Sequence, residues 1–190
     1  MKKILTKIAL SMCLFGSGLW AADDIPKTPY LSPSEELKTL QLKDGYYLEA
    51  VLTDPVIKEP VISVFDGNGN MYVAEMRTYM QDADGSGKFK KVSRVSFHKD
   101  TNGDGKYDKS TVFADNLLLP RMILPLDKRV LIGETNTLDI YCYEDTDGDG
   151  VADKKELWFK GGSRGGNLEH QPSGLIWSLD NWIYTTYNAF

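Results

Sequence analysis

The chain has 190 residues, enough for one domain of ordinary size, and carries 27 acidic against 22 basic side chains for a formal charge of −5. That acidic balance repels phosphate backbones and argues against nucleic acid as a partner. Of the two cysteines, Cys13 and Cys142, neither belongs to a Cys-x-x-Cys-His, so this segment carries no covalently attached haem.

The first stretch has the layout of a secretory signal peptide over residues 1–22. "MKKILTK" supplies three lysines, "IALSMCLFGSGL" is uncharged, and "WAA" leads to cleavage after Ala21 or Ala22. Its apolar core is too short to span a bilayer. A lipoprotein with Cys13 acylated is the alternative, but bulky Met12 stands where such a site wants a small residue. Export to the periplasm or cell envelope is the expectation. Losing residues 1–21 removes three lysines and no acids, leaving 19 basic against 27 acidic groups and a charge of −8. Only Cys142 then remains, so no internal disulfide forms, and the exported domain is held by its core or by metal.

Residues 23–59 read as a lead-in segment, whose one helical signal is "SEELKTL", Ser34 to Leu40, capped by Ser32 or Ser34. From residue 60 the pattern changes to strands. "VISVFDGNGNMYVAEM" reads as strand, turn and strand, and the same shape returns in "MILPLDKRVLIGET" and "SGLIWSLDNWIYTTYN". Two Asp-rich stretches, "SFHKDTNGDGKYDKSTVF" and "YCYEDTDGDGVADKKELW", superpose with an offset of 45, pairing Asp100 with Asp145 and Phe113 with Trp158. Four short antiparallel strands recurring at that period predict an all-β fold, a partial β-propeller. Its blades fall at about 60–115, 119–160 and 170–190, the last truncated, so about two and a half blades of a longer protein are expected.

In "DTDGDGVADKKE", oxygen ligands fall at loop positions 1, 3, 5, 9 and 12: Asp145, Asp147, Asp149, Asp153 and Glu156. Gly150 stands at the sharp turn, and the whole matches a calcium loop. "DTNGDGKYDKST" repeats it through Asp100, Asn102, Asp104 and Asp108, but Thr111 at position 12 cannot give a bidentate carboxylate. The predicted role is a structural calcium site, stronger in the second loop. The bland alternative is a tight turn built from Asp and Gly. "DGNGN" and "DADGSGK" read as ordinary turns.

His98 reads as a half-exposed strand residue. His170 precedes the innermost strand of the third unit, where propellers gather ligand loops around a central channel, and Glu169 beside it could orient the ring. From pattern alone, a catalytic base and a packed loop histidine stand equal. Trp177, Trp182, Tyr184 and Tyr187 are expected in a blade core rather than as a sugar platform. Glu75 and Glu134 follow second strands, placed to face the channel or cap strand ends. "GGSRGG", Gly161 to Gly166, has no helix after it and is an inter-blade loop, not a phosphate cradle.

"EHQPSGLIWSLDNWIYTT" resembles the segment of soluble quinoprotein glucose and sorbosone dehydrogenases in which a histidine precedes Gln and a Ser-Gly pair, and "MYVAEMR" resembles their first-blade strand. "LSPSEELKTLQLKDGYYLEAVLTDP", the Asp-rich loops, "STVFADNL" and "GLIWSLDNWIY" resemble the membrane-bound dehydrogenases of planctomycetes and verrucomicrobia. That resemblance implies an N-terminal six-bladed propeller in a large exported protein, pyrroloquinoline quinone (PQQ) as cofactor and a cytochrome c as electron acceptor. It further implies a sugar or polyol substrate, with His170 as the general base, Glu169 as its acidic neighbour, and Gln171 and Arg77 as cofactor-facing groups. The rival expectation is a non-catalytic, calcium-stabilised propeller that binds glycans or protein partners.

Overall fold

The computed structural model describes residues 29–163 and 165–186. The predicted signal peptide and Tyr187 lie outside them. Chain order begins with helix α1 (Pro33–Thr39), where Ser32 is the N-cap and Glu35 closes a reciprocal capping box. Ser32 is thus the cap, and the helix starts one residue earlier than its sequence signal. No residue of α1 is buried, so it is held by its own capping rather than by a core.

Ten strands follow: β1 (Pro60–Phe65), β2 (Met71–Glu75), β3 (Ser93–Lys99), β4 (Lys109–Leu117), β5 (Met122–Leu126), β6 (Arg129–Gly133), β7 (Ile140–Glu144), β8 (Lys154–Phe159), β9 (Leu175–Trp177) and β10 (Ile183–Thr185). They form two four-stranded sheets in sequential order, β1-β2-β3-β4 and β5-β6-β7-β8, and the hairpin β9-β10. All the neighbouring strands pair antiparallel. The fold is all-β apart from α1, and each sheet is open.

The connections follow from turn chemistry. Between β1 and β2, the Asp66 carboxylate accepts the amides of Asn68 and Asn70, and Gly69 takes φ +82°. "DADGSGK" is likewise an ordinary turn, with Asp82 accepting the Ser86 amide and hydroxyl.

The main core lies between the two sheets. Tyr72, Val95, Phe97 and Phe113 of the first meet Ile123, Val130, Ile132 and Tyr143 of the second. Tyr72 packs edge-on to Phe113 with ring centroids 5.1 Å apart. A second cluster joins Met122, Leu131 and Ile140 to Leu175 of the hairpin. Two expectations are corrected here. His98 is fully buried, its ring bonded by Ser96 and Ser110 and met edge-on by Tyr107 at 6.5 Å. Trp177, Trp182 and Tyr184 are 56%, 70% and 53% exposed, because the hairpin meets the second sheet through Leu175 and Ile183 and no described strand covers its aromatic side chains.

Candidate functional site

Antiparallel pairing fixes two ends of the sheets. The β1–β2 turn and the Asp-rich β3–β4 and β7–β8 loops share one end; Glu75, Glu134 and the segment entering β9 share the other. At about 3.3 Å per residue, a seven-residue strand such as β3 separates the ends by roughly 20 Å. The predicted metal ligands and the predicted catalytic group are therefore apart.

At the second end, residues 167–171 are pinned from several directions. Gln171 is buried and its amide bridges two backbone groups, with Nε2 donating to Asn167 O (3.0 Å) and Oε1 accepting the Asn136 amide (3.1 Å). Arg121 Nη2 donates to Leu168 O at 2.7 Å, and its Nε donates to Thr135 Oγ1 at 3.0 Å. Leu168 is buried against Met76 and Leu119. Glu169 and His170 are exposed; the Glu169 amide is capped by Asn167 Oδ1, and Tyr79 Oη lies 3.4 Å from Glu169 Oε1.

Glu169 lines a cleft of about 300 Å³ between this segment and residues 79–89. The opposite wall exists because the β2–β3 connection runs through residues 76–92, whereas β6–β7 is joined by residues 134–139 alone.

Arg77 is not brought to this cleft. It borders a separate cavity of about 570 Å³ with Thr53, Lys58 and Gln81. Its Nε and Nη2 both donate to Glu75 Oε2, at 3.0 and 2.8 Å, while Arg94 Nε donates to Oε1 at 2.8 Å and the Lys58 amide to Oε2 at 2.9 Å. Glu75 is completely buried. Burial pushes its carboxyl up, but the bonds from Arg94, Arg77 and Lys58 outweigh it, and the net shift is downward. Glu134 repeats the device at the end of the second sheet by accepting the Leu118 amide at 2.6 Å. Both glutamates cap strand ends.

At the other end, Asp145, Asp147 and Asp149 bring carboxylate oxygens within 4.8 Å of one another. Asp145 also accepts the amides of Gly148 and Gly150. Asp153 instead accepts the Thr146 amide and hydroxyl, and Glu156 stands on β8 opposite Cys142. In the first loop, Asp100 accepts the amides of Asn102, Gly103 and Gly105, and those bonds, Gly105's above all, hold its carboxyl below the usual range. Asp108 accepts from Thr101 as Asp153 does from Thr146, and Asn102 Nδ2 donates to Asp104.

The model of one protein family, a domain of unknown function (DUF7133), matches residues 32–189, from the α1 cap through the last hairpin. The chain belongs to that family. No curated protein matches it. The DUF7133 match spans both sheets, both Asp-rich loops and the Glu169–Gln171 segment.

Sequence reading missed Arg121 and Tyr79 in this DUF7133 domain. Arg121 sits in "LLPRMIL", a lone cation in an apolar run, and such a group has to find polar partners when half-buried. Tyr79 had no local signal; only the path of the 76–92 connection carries it to Glu169.

Proposed function

We propose that the chain contributes blades to an exported β-propeller of the quinoprotein sugar-dehydrogenase type, with His170 taking the proton from a sugar or polyol hydroxyl. The observation that carries this reading is the pinned 167–171 segment. Gln171 and Arg121 hold its backbone, so Glu169 is presented at the cleft from a fixed base and His170 follows it, exposed, in the same segment. The propeller itself is supported by the two sequentially ordered four-stranded sheets and by the adjoining first strands, with β5 packed against both β1 and β9.

A neutral imidazole is a side chain suited to accepting a hydroxyl proton. Tyr79 holds the adjacent Glu169 carboxylate by its hydroxyl. PQQ, when bound, accepts hydride from the substrate carbon. The residues expected to face it do not make its cradle: Gln171 commits both ends of its amide to backbone, and Arg77 is bound to Glu75 at a different cavity.

Calcium fits the second loop better. Three carboxylates within 4.8 Å offer hard oxygen donors of the kind calcium takes six to eight of. About 20 Å from the cleft, such an ion braces strands.

The second reading, a glycan-binding propeller without catalysis, is favoured by the exposed Trp177, Trp182 and Tyr184 on one hairpin. Dye reduction separates the two. Protein expressed from its complete reading frame, reconstituted with PQQ and calcium, is expected to reduce dye with a neutral sugar, and His170→Ala to lose at least a hundredfold in kcat. Full activity in that variant overturns His170 as the base. No activity in wild type, with sugar binding abolished by Trp182→Ala, selects the second reading.

A further inference from the structure

The cleft beside Glu169 has a chemical bias of its own. Three carboxylates line it, those of Asp82, Asp84 and Glu169, against one cation, Lys88. Tyr79 and Phe89 supply aromatic faces. Lys88 Nζ lies 5.5 Å from the centre of the Phe89 ring, so a primary ammonium of the chain itself already stands over an aromatic face on this wall.

The cleft's formal charge is −2 with Lys88 in place and −3 if that side chain swings to solvent. A lysine on a flexible stem has many solvated conformations, so its displacement costs little. The remaining aromatic face and carboxylates then suit one kind of guest. Phe89 attracts a cation through its ring quadrupole, and Asp84 and Glu169 accept N–H donors. Two of the acids are already partly committed, Asp82 to Ser86 and Glu169 to Tyr79, which fixes where their charge sits. A volume of about 300 Å³ fits a molecule of monosaccharide size, near the lower limit for small-molecule sites.

We propose that this cleft binds a small protonated amine, of which an amino sugar is the representative, with its ammonium taking the place of Lys88's over the Phe89 ring and drawn by the carboxylates that line the same cleft. The site selects by charge. Anionic sugars are repelled, and uncharged ones lack the group that the cleft recognises. This holds whether or not His170 transfers a proton, because it concerns binding alone.

Isothermal titration of the full chain with glucosamine, glucose and glucuronate tests it, since the three share a skeleton and differ in charge. Glucosamine at pH 6.5 is expected to bind at least tenfold tighter than glucose, and glucuronate to give no heat. Phe89→Ala and Asp84→Asn should each weaken glucosamine about tenfold, while Lys88→Ala should tighten it severalfold by removing the competitor. Equal affinity for glucose and glucosamine, no binding by glucosamine, or weaker binding in Lys88→Ala overturns the proposal. If a variant fails to fold by circular dichroism, the three-ligand comparison on wild type still decides.

Discussion

The two four-stranded sheets are copies in topology and opposites in interior. The first buries a polar seam: Glu75 with Arg77 and Arg94, and His98 between Ser96 Oγ (2.9 Å) and Ser110 Oγ (2.8 Å). The second buries Leu131, Ile132 and Ile140, keeps at Glu75's place a Glu134 that no arginine pairs among the described residues, and has as its counterpart of His98 Tyr143, whose buried hydroxyl has no partner among the described residues. Their loops differ in the same spirit. The second Asp-rich loop docks on the first sheet, where Thr111 Oγ1 donates to Gly150 O at 2.5 Å, Lys109 Nζ to Asp149 O at 2.8 Å, and the Ala152 amide to Phe113 O at 2.9 Å. The Asp-rich turn of the first loop bonds back to its own sheet, through Tyr107 Oη to Gly69 O. Repetition in sequence fixes strand order, but what each copy packs against fixes its chemistry.

Removing the ionic seam should have the largest effect. Glu75→Ala leaves two half-buried guanidinium groups without their carboxylate and is expected to cost about 3–5 kcal/mol in urea unfolding. Glu134→Ala, which loses one backbone bond and a 3.9 Å pair with Lys155, should cost about 1–2 kcal/mol. Equal costs would break the contrast between the sheets. Glu75 also gives it a pH signature. The folded-state pKa lies below the ordinary glutamate value of about 4.3, so the stabilisation is complete above that pH. Below it the unfolded chain takes up the proton first, and stability falls as pH drops through the folded value. Glu75→Gln should flatten that limb of the stability curve, and an unchanged acid limb would refute the assignment.

Next comes the docked loop. A Cβ on Gly150 would lie 2.7 Å from Thr111 Oγ1 and 2.8 Å from Phe97 Cδ1, and the residue has φ +91°. Gly105, its counterpart, has φ +86° and nothing within 4 Å. Both substitutions to Ala carry the left-handed backbone penalty, about 1–2 kcal/mol; Gly150→Ala adds an overpacking cost of about 1–3 kcal/mol. A difference under 0.5 kcal/mol in thermal unfolding would mean that the loop is not seated on the first sheet.

The buried polar pair of β3 and β7 gives a smaller and oppositely signed test. Ser96 Oγ has Val73 O as a distant acceptor at 3.5 Å, which assigns the donor hydrogen on the His98 side to Nε2 and leaves Nδ1 to accept from Ser110. His98→Leu takes the donor from the buried Ser96 hydroxyl, while exposed Ser110 turns to water, and should cost about 1 kcal/mol, whereas Tyr143→Phe removes an unpartnered hydroxyl and should be neutral or slightly stabilising. A cost above 1 kcal/mol for Tyr143→Phe would show that its hydroxyl is satisfied in solution.

What could be read from the sequence tracks with what is local. Period-2 patterning and the turn residues around Asp66 and Asp127 placed the strand pairs, and the offset of 45 found the second copy, because each depends on a few adjacent residues. The burial of His98 was not legible, since "RVSFHKD" alternates like a half-exposed strand and the groups that meet the ring, Ser110 and Tyr107, come from the far side of the loop that follows. The exposed Trp177 and Trp182 misled in the other direction: aromatic alternation records a face meant to pack, not whether anything described packs on it. Thr111 shows the same limit. As position 12 of a loop it looked like a weak ligand, yet its partner is Gly150, on the next sheet. Arg121 and Tyr79 reach the candidate site only through chain paths that no local pattern encodes.

The smallest expected effect concerns the two loops as cation sites. At a Kd of about 10⁻⁴–10⁻³ M, the weak end of the calcium-loop range, 5 mM calcium should stabilise the chain by about 1–2 kcal/mol, a few degrees in Tm. Deleting Asp145 would confuse the test, because its carboxylate also holds the amides of Gly148 and Gly150. Asp147→Asn with Asp149→Asn is cleaner: each keeps an oxygen for the backbone amide that it caps and loses only charge. That double variant should lose most of the calcium response and keep its Tm in chelator. Asp104→Asn in the first loop, where Asn102 already dilutes the charge, should change the response little. A calcium response untouched by the Asp147 and Asp149 changes would move the ion elsewhere. A response lost equally from either loop would mean that docking on the first sheet, which distinguishes the loops in every other respect, does not govern how they hold a cation.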